Sequence, residues 1–239
     1  MRYKVKELLY DAAKKAGIEL SDEQLNKFET YYEMLIEKNK VMNLTSITEM
    51  NDVVMKHFVD SISIKKYIDL SGKKIIDIGT GAGFPGIPLA IVFEDAQFTL
   101  MDSLNKRIQF LNEVIEAIEL KNVETVHDRA EDLARKEGYR EKYNYCVSRA
   151  VANMSTLLEY CIPFVKKGGK FISYKSGAVK EELEASVNAQ KKLGCKYAEC
   201  IEFTLPDTDI SRTFVVFEKV NFTGKAYPRQ AGKPKKNPL

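Results

Sequence analysis

Apolar positions in the first part of the chain recur every three and four residues. Leu25, Phe28, Tyr32 and Leu35 follow Ser21, which with Gln24 forms a capping-box pattern, so an amphipathic helix is expected from Asp22 to about Lys38. A second helical stretch runs through Val53, Val54, His57 and Phe58, with Asn43-Leu44-Thr45-Ser46 as the polar turn between the two. The pattern breaks at Asp69-Leu70-Ser71-Gly72. Beyond it come short apolar runs followed by longer helical patterns. The runs are Ile75 to Ile78, Phe98 to Met101, Val123 to Val126, Tyr145 to Val147 and Phe171 to Tyr174; Lys106 to Leu120, with Ile108, Leu111, Ile115 and Ile118 on one face, is the clearest intervening helix. Run ends recur about every 22 to 25 residues, the size of compact βα units and hence of a parallel sheet. The units share length without sharing sequence, which excludes a solenoid.

The last two runs, Ala198 to Leu205 and Thr213 to Val220, are separated only by Pro206 to Arg212. So short a link cannot hold a crossover helix of about a dozen residues, so this pair is expected to be antiparallel and one strand reversed. The expectation is therefore an α/β, doubly wound, mostly parallel seven-stranded sheet with a reversed final strand. A helical N-terminal extension (1–70) precedes the sheet domain (71–220), and a basic tail (221–239) follows. Pro228, Pro234 and Pro238 among lysines predict that the tail is extended or mobile.

A chain of 239 residues with 44% hydrophobic and 30% charged residues excludes wholesale disorder, collagen and coiled-coil rods. Its longest apolar run, Ile87 to Phe93, is far below the roughly 18 residues that span a bilayer. The amino terminus, with Arg2, Lys4, Lys6 and Glu7 among its apolar residues, has no signal-like apolar core, so a cytoplasmic location is expected. Cys146, Cys161, Cys195 and Cys200 include no C-x-x-C pair, and only His57 and His127 could join them, so buried free thiols are expected and no metal. The absence of a sustained heptad gives no reason to expect a coiled-coil dimer, and a monomer is expected. Net charge is only +3, but five basic residues (Lys225, Arg229, Lys233, Lys235, Lys236) and no acidic one lie beyond Val220.

Candidate chemistry centres on Asp77-Ile78-Gly79-Thr80-Gly81-Ala82-Gly83-Phe84-Pro85-Gly86, which joins the first strand to a helix starting near Phe84 or Pro85. Gly81 to Gly86 matches G-x-G-x-x-G, and Asp102 ends the next strand, so a dinucleotide-dependent oxidoreductase is one reading. Three features oppose it. Pro85 removes an amide that a pyrophosphate would use, two phosphates would lie near Asp77, and the antiparallel end of the sheet is unlike a dinucleotide half-fold. S-adenosylmethionine, with its sulfonium and ammonium groups, removes the conflict with Asp77. Asp102 could accept two vicinal ribose hydroxyls, or merely cap a helix beginning at Ser103.

The arrangement resembles the class I (Rossmann-like) methyltransferases, where an acid-x-Gly-x-Gly loop follows the first strand and an acid ends the second. Asp77, Gly79, Gly81, Gly83 and Asp102, with Ser103 beside it, stand at those places. More residues narrow the likeness: Asn43-Leu44-Thr45, His57-x-x-Asp60-Ser61, Phe84-Pro85-Gly86-Ile87-Pro88, Asp102-Ser103-x-x-Lys106-Arg107, Arg129-Ala130-Glu131, Arg149-Ala150-Val151-Ala152, Tyr227-Pro228-Arg229 and Pro234-Lys235-Lys236-Asn237-Pro238-Leu239. From about residue 20 to its end the chain resembles the small-subunit ribosomal RNA guanine-N7 methyltransferase G family, also called glucose-inhibited division protein B. The resemblance implies transfer of the methyl group of S-adenosylmethionine to N7 of guanine 527, in the 530 loop of bacterial 16S ribosomal RNA. It also implies that Gly79 and Phe84 line the cofactor, Asp102 takes the ribose, Ala130 and Glu131 flank the adenine and Arg149 reaches the mouth of the site. Gln230 departs from the basic residue expected in the tail.

Guanine N7 has an exposed lone pair, so no base need deprotonate it and alignment of the reactants can suffice. The Asp/Asn-Pro-Pro-Tyr turn of exocyclic-amine methylation is absent after strand 4, where Ser148-Arg149-Ala150-Val151 stands, and Cys161-Ile162-Pro163 reads as core rather than nucleophile. Lys106, Arg107, Arg129, Arg149, Lys175 and Arg212 are expected to converge on the carboxyl edge of the sheet, with Arg229 and Lys235 of the tail, to bind RNA. Arg129 and Arg149 are the candidate catalytic residues. His57 reads as an interhelical histidine, and Asp77 could fix the loop rather than meet the cofactor. Methylation of another RNA, or RNA binding without catalysis, remain as alternatives.

Overall fold

The computed structural model describes residues 2–150, 152–177 and 179–239; Val151 of the Arg149 motif lies outside the described residues. Seven strands form one sheet: β1 (Lys74–Ile78), β2 (Gln97–Asp102), β3 (Val123–His127), β4 (Tyr143–Ser148), β5 (Val165–Lys175), β6 (Cys195–Thr204) and β7 (Ser211–Lys219). Their order is β3-β2-β1-β4-β5-β7-β6. Every pair from β3 to β5 is parallel; β7 runs antiparallel to β6, as the short Pro206 to Arg212 link requires, and also to β5. The strand order reverses at β1, whose Asp77 is level with Leu100 of β2 and Val147 of β4. A crevice therefore opens beyond the carboxyl ends of β1, β2 and β4.

The helices are α1 (Arg2–Lys15), α2 (Asp22–Met42), α3 (Met50–Val53), α4 (Asp60–Ile62), α5 (Gly86–Val92), α6 (Asn105–Ala117), α7 (Ala130–Leu133), α8 (Met154–Cys161), α9 (Lys180–Ala185), α10 (Val187–Leu193) and α11 (Lys233–Lys236). At the start of α2, Ser21 and Gln24 make the reciprocal capping-box bonds, and the helix runs one turn beyond Lys38 to Asn43 in the left-handed conformation. Between α3 and α4 lies a π-helix, Val54–Val59, in which the Asp60 N–H reaches back to the Met55 carbonyl. One apolar layer joins the N-terminal helices (Leu9, Phe28, Phe58) to one sheet face (Ile75, Phe98, Val216), so the first seventy residues share its core. The other face packs Leu133, Leu158, Phe164 and Leu193 on Ile76 and Phe217. Cys146, Cys161 and Cys195 are buried free thiols, and Cys200 is half-buried.

The tail corrects the expectation of an extended or mobile segment. Arg140 donates to the carbonyls of Thr223 (2.8 Å) and Tyr227 (3.0 Å), and Arg135 donates to that of Pro228. The Arg229 guanidinium closes on Glu159 (Nη2 to Oε2, 2.7 Å; Nε to Oε1, 2.9 Å), a carboxylate with no exposed surface on α8. Proline forbids ladder pairing but not packing, and a buried carboxylate without a counter-ion would cost several kcal/mol. The tail is held because α8 needs it.

Under the glycine loop, a Cβ on Gly86 would stand 2.2 Å from Leu100 Cδ2 and 2.9 Å from Asp77 Oδ2. Gly86→Ala is accordingly expected to lower stability by about 2 kcal/mol, seen as a lower urea midpoint at unchanged slope.

Candidate active site

Asp77 sits inside the protein, beneath the loop. Its Oδ2 accepts the Gly86 N–H (2.9 Å), and burial pushes its carboxyl up to about 7. This bond occupies the first amide of α5, and Pro85 before it has none, so the helix start offers a pyrophosphate no donor there. Asp77 and Gly83 do not line the cavity above; each supports the loop from behind. A Cβ on Gly83 (φ 107°) would meet Ile87, Leu111 and the Tyr31 hydroxyl of α2, which donates to the Ala82 carbonyl (2.6 Å).

Above the loop lies a cavity of about 770 Å³. Gly79, Gly81 and Phe84 form its floor, Asp102 and Ser103 one side, and Ala130, Glu131 and Arg129 another. Gly81 has nothing within 4 Å of the position a Cβ would take, so its backbone opens on the cavity as a cradle. Asp102 at the end of β2 holds the turn into α6 and the glycine loop together: Oδ1 accepts the Leu104 N–H ahead of α6 (2.9 Å), and Oδ2 accepts the Gly81 N–H (3.0 Å). Arg107 Nη1 lies 3.1 Å from Oδ2. Ile78, Met101 and Leu157 add apolar surface. A carboxylate on the cavity wall, a bare backbone cradle and apolar surface fit a nucleoside-bearing, positively charged cofactor such as S-adenosylmethionine.

A second cavity, of about 810 Å³, adjoins the first. Arg149, His57 and Ala150 line both. The second also contains Asp60, Lys175 and Arg212. Asp60, almost wholly buried, places Oδ2 3.2 Å from Arg149 Nη1 and Oδ1 3.1 Å from Arg212 Nε, so one carboxylate holds arginines from β4's end and from β7. Burial pushes the Asp60 carboxyl up while the two guanidinium groups pull it down. His57, read as interhelical, instead faces both cavities: its ring stacks on Phe84 (4.3 Å, 14°) and its Nδ1 accepts from Arg149 Nη2 (2.9 Å). A guanidinium can only donate, so Nε2 carries the imidazole proton and donates to Thr45 Oγ1 (2.8 Å).

The basic residues expected to converge do so only in part. Arg107, Arg129 and Lys235 line the first cavity, while Lys175 and Arg212 line the second. Lys175 is tied to Glu182 (2.7 Å) and the Ala152 carbonyl (2.9 Å). Lys106 is exposed and lines neither. Arg229 also lines neither, and the expectation that it faces RNA is corrected by its engagement with Glu159 and the Asn237 carbonyl. Sequence reading passed over Asp60 and Thr45 as site groups, although His57-x-x-Asp60 at helical spacing is a signal for two side chains on one face. Among the described residues no cluster of three or more His, Cys, Asp or Glu could hold a metal, and no helix is long and apolar enough to cross a membrane.

Comparison with known proteins gives consistent matches. The profile of the family described as rRNA small subunit methyltransferase G matches residues 24–210. A protein of Lachnoclostridium phytofermentans named ribosomal RNA small subunit methyltransferase G is 56% identical over 224 residues, covering 93% of each chain. A protein of the same name from Acetivibrio thermocellus is 50% identical over 236 residues, 99% of this chain and 97% of its own length. Among solved structures, M. jannaschii TYW2 in complex with AdoMet superposes with a TM-score of 0.53 at 17% identity, over 67% of this chain and 77% of that one. A SAM-dependent methyltransferase from Aquifex aeolicus gives 0.52 at 15% identity, over 69% and 92%. These structural likenesses show the fold, that of the class I methyltransferases.

Burial, reinforced by the Arg149 charge, pushes the His57 imidazole from 6.5 down to about 3. The unfolded chain then binds more protons than the folded one between these values, so stability falls as pH drops from about 6.5 toward 3. The expected slope from this group approaches ~1.4 kcal/mol per pH unit. Nitrogen-15 chemical shifts should keep His57 in the neutral Nε2–H form at pH 5.

Proposed function

Because the chain belongs to the rRNA small subunit methyltransferase G family, we propose that it transfers the methyl group of S-adenosylmethionine to N7 of guanine 527 in bacterial 16S ribosomal RNA. The observation that carries this reading is the junction of the two cavities at Arg149, His57 and Ala150. The first cavity suits the cofactor, and the second has the size and charge for an unstacked nucleotide with its phosphate. When bound, the cofactor supplies a methyl group on a sulfonium, a leaving group that needs no acid.

The chain's residues then align and hold. Asp102 accepts the ribose hydroxyls, Gly79 and Gly81 let the backbone approach, and Phe84 forms the floor beneath Arg149, whose Cζ lies 5.0 Å from the ring centre. Asp60 and neutral His57 fix the plane of the Arg149 guanidinium from two sides. Guanine shows two acceptors on that edge, O6 and N7; Arg149 donating to O6 leaves the N7 lone pair free to attack. No residue has to take a proton from the base, so positioning carries the rate. Arg129, Arg107 and Arg212 neutralise RNA phosphates around the opening. On this reading the enzyme works in the cytoplasm as a monomer, without a metal, on 16S ribosomal RNA, free or within the 30S subunit.

The test is transfer of tritiated methyl to 30S subunits from cells lacking this gene, followed by nucleoside identification. Label in 7-methylguanosine, absent with wild-type subunits, is expected; cofactor binding without label would discard the substrate. Asp102→Ala is expected to weaken cofactor binding by about tenfold or more in calorimetry, the loss of charged hydrogen bonds. Arg149→Ala should lower kcat by about a hundredfold while changing 30S affinity much less; equal losses would reduce Arg149 to a phosphate contact.

A further inference from the structure

The carboxyl tail passes the cofactor cavity. Gly232 and Lys235 line it beside Glu131, Leu157 and Tyr160, and the Gly232 N–H donates to Glu131 Oε1 (2.9 Å). The contact is fixed from both sides. Before it, Arg229 is locked to the buried Glu159; after it, Pro234 is buried and its carbonyl accepts from Thr156 Oγ1 (3.0 Å). Glu159 and Thr156 lie on α8, which also supplies Leu157 and Tyr160 to the cavity wall. The tail and α8 thus form one side of the pocket, opposite the loop.

We infer that the segment Gly232 to Lys235 is a cofactor-binding element, closing the adenine end of the pocket, rather than an arm reserved for RNA. The inference rests on the cofactor reading above. Glu131 is the carboxylate that the family resemblance sets beside the adenine, and the Gly232 amide holds it in place. Lys235, exposed at the rim, carries an ammonium that can donate to an adenine ring nitrogen, an acceptor otherwise left to water. A segment docked by these three polar contacts and still reaching the cavity supplies a wall whose closure and cofactor binding stabilise each other.

Two measurements test this on the enzyme and its variants. Trypsin cleavage after Lys235 and Lys236 of the full chain, followed by mass spectrometry, should slow at least fivefold when S-adenosylhomocysteine saturates the protein. A chain ending at Ala231 should bind S-adenosylmethionine about tenfold more weakly in calorimetry, with an unchanged circular dichroism spectrum. Lys235→Ala, which leaves every tail anchor in place, should show a smaller loss of the same sign and keeps the test valid if the shortened chain misfolds. Unchanged cleavage with unchanged cofactor affinity in Lys235→Ala would overturn the inference, as would loss of 30S binding alone. Failure of the unaltered enzyme to bind the cofactor would instead overturn the functional reading on which it rests.

Discussion

One carboxylate, that of Asp60, ties the N-terminal helices to the working edge of the sheet. It lies out of water between guanidinium groups from the end of β4 and the start of β7. Removing it would leave two cations facing each other beside a cavity; removing either arginine would leave the buried carboxylate with a single guanidinium to compensate it. Such a group adds little net stability once desolvation is counted, but it fixes geometry. With the Lys56 carbonyl it directs Arg149, and the tautomer of His57 follows from the Arg149 contact. The N-terminal helices are therefore part of the site: Tyr31 braces the glycine loop from beneath, and Thr45, His57 and Asp60 shape it from above.

The sheet was legible in the sequence because its signals are local. Strand runs at even spacing, glycines at the first turn and a short link before the last strand specify a parallel sheet with one reversed strand. The same holds for Asp102, whose place at the end of β2 is set by counting along the chain. Less legible were side chains whose meaning depends on a distant partner. His57 looks like a core histidine until Arg149, some ninety residues later, is seen to donate to it. Gly83 reads as a ligand contact and Asp77 as either a ligand contact or a brace for the loop; both stand behind the loop, and strand pattern does not say on which side of a turn a side chain ends.

The tail was misread for the same reason. Its prolines and lysines resemble a solvated segment, and nothing within it announces that Glu159, on a helix seventy residues earlier, requires a cation. Composition reports what a segment could do alone; the buried acid decides what it does. Arg140 illustrates this further, spending its guanidinium on the carbonyls of Thr223, Gly224 and Tyr227, backbone acceptors that a prolyl-rich segment cannot satisfy in a ladder.

That packing continues to the last residue. Leu239 rests against the apolar layer on the far face of the sheet, alongside Tyr227. A polypeptide fused to the carboxyl end would begin from a seated side chain, a few residues from the pocket rim, and would have to lift the seat to leave. An affinity handle for purification belongs at the other end of this chain, where α1 begins far from the crevice in sequence and Lys4 faces water.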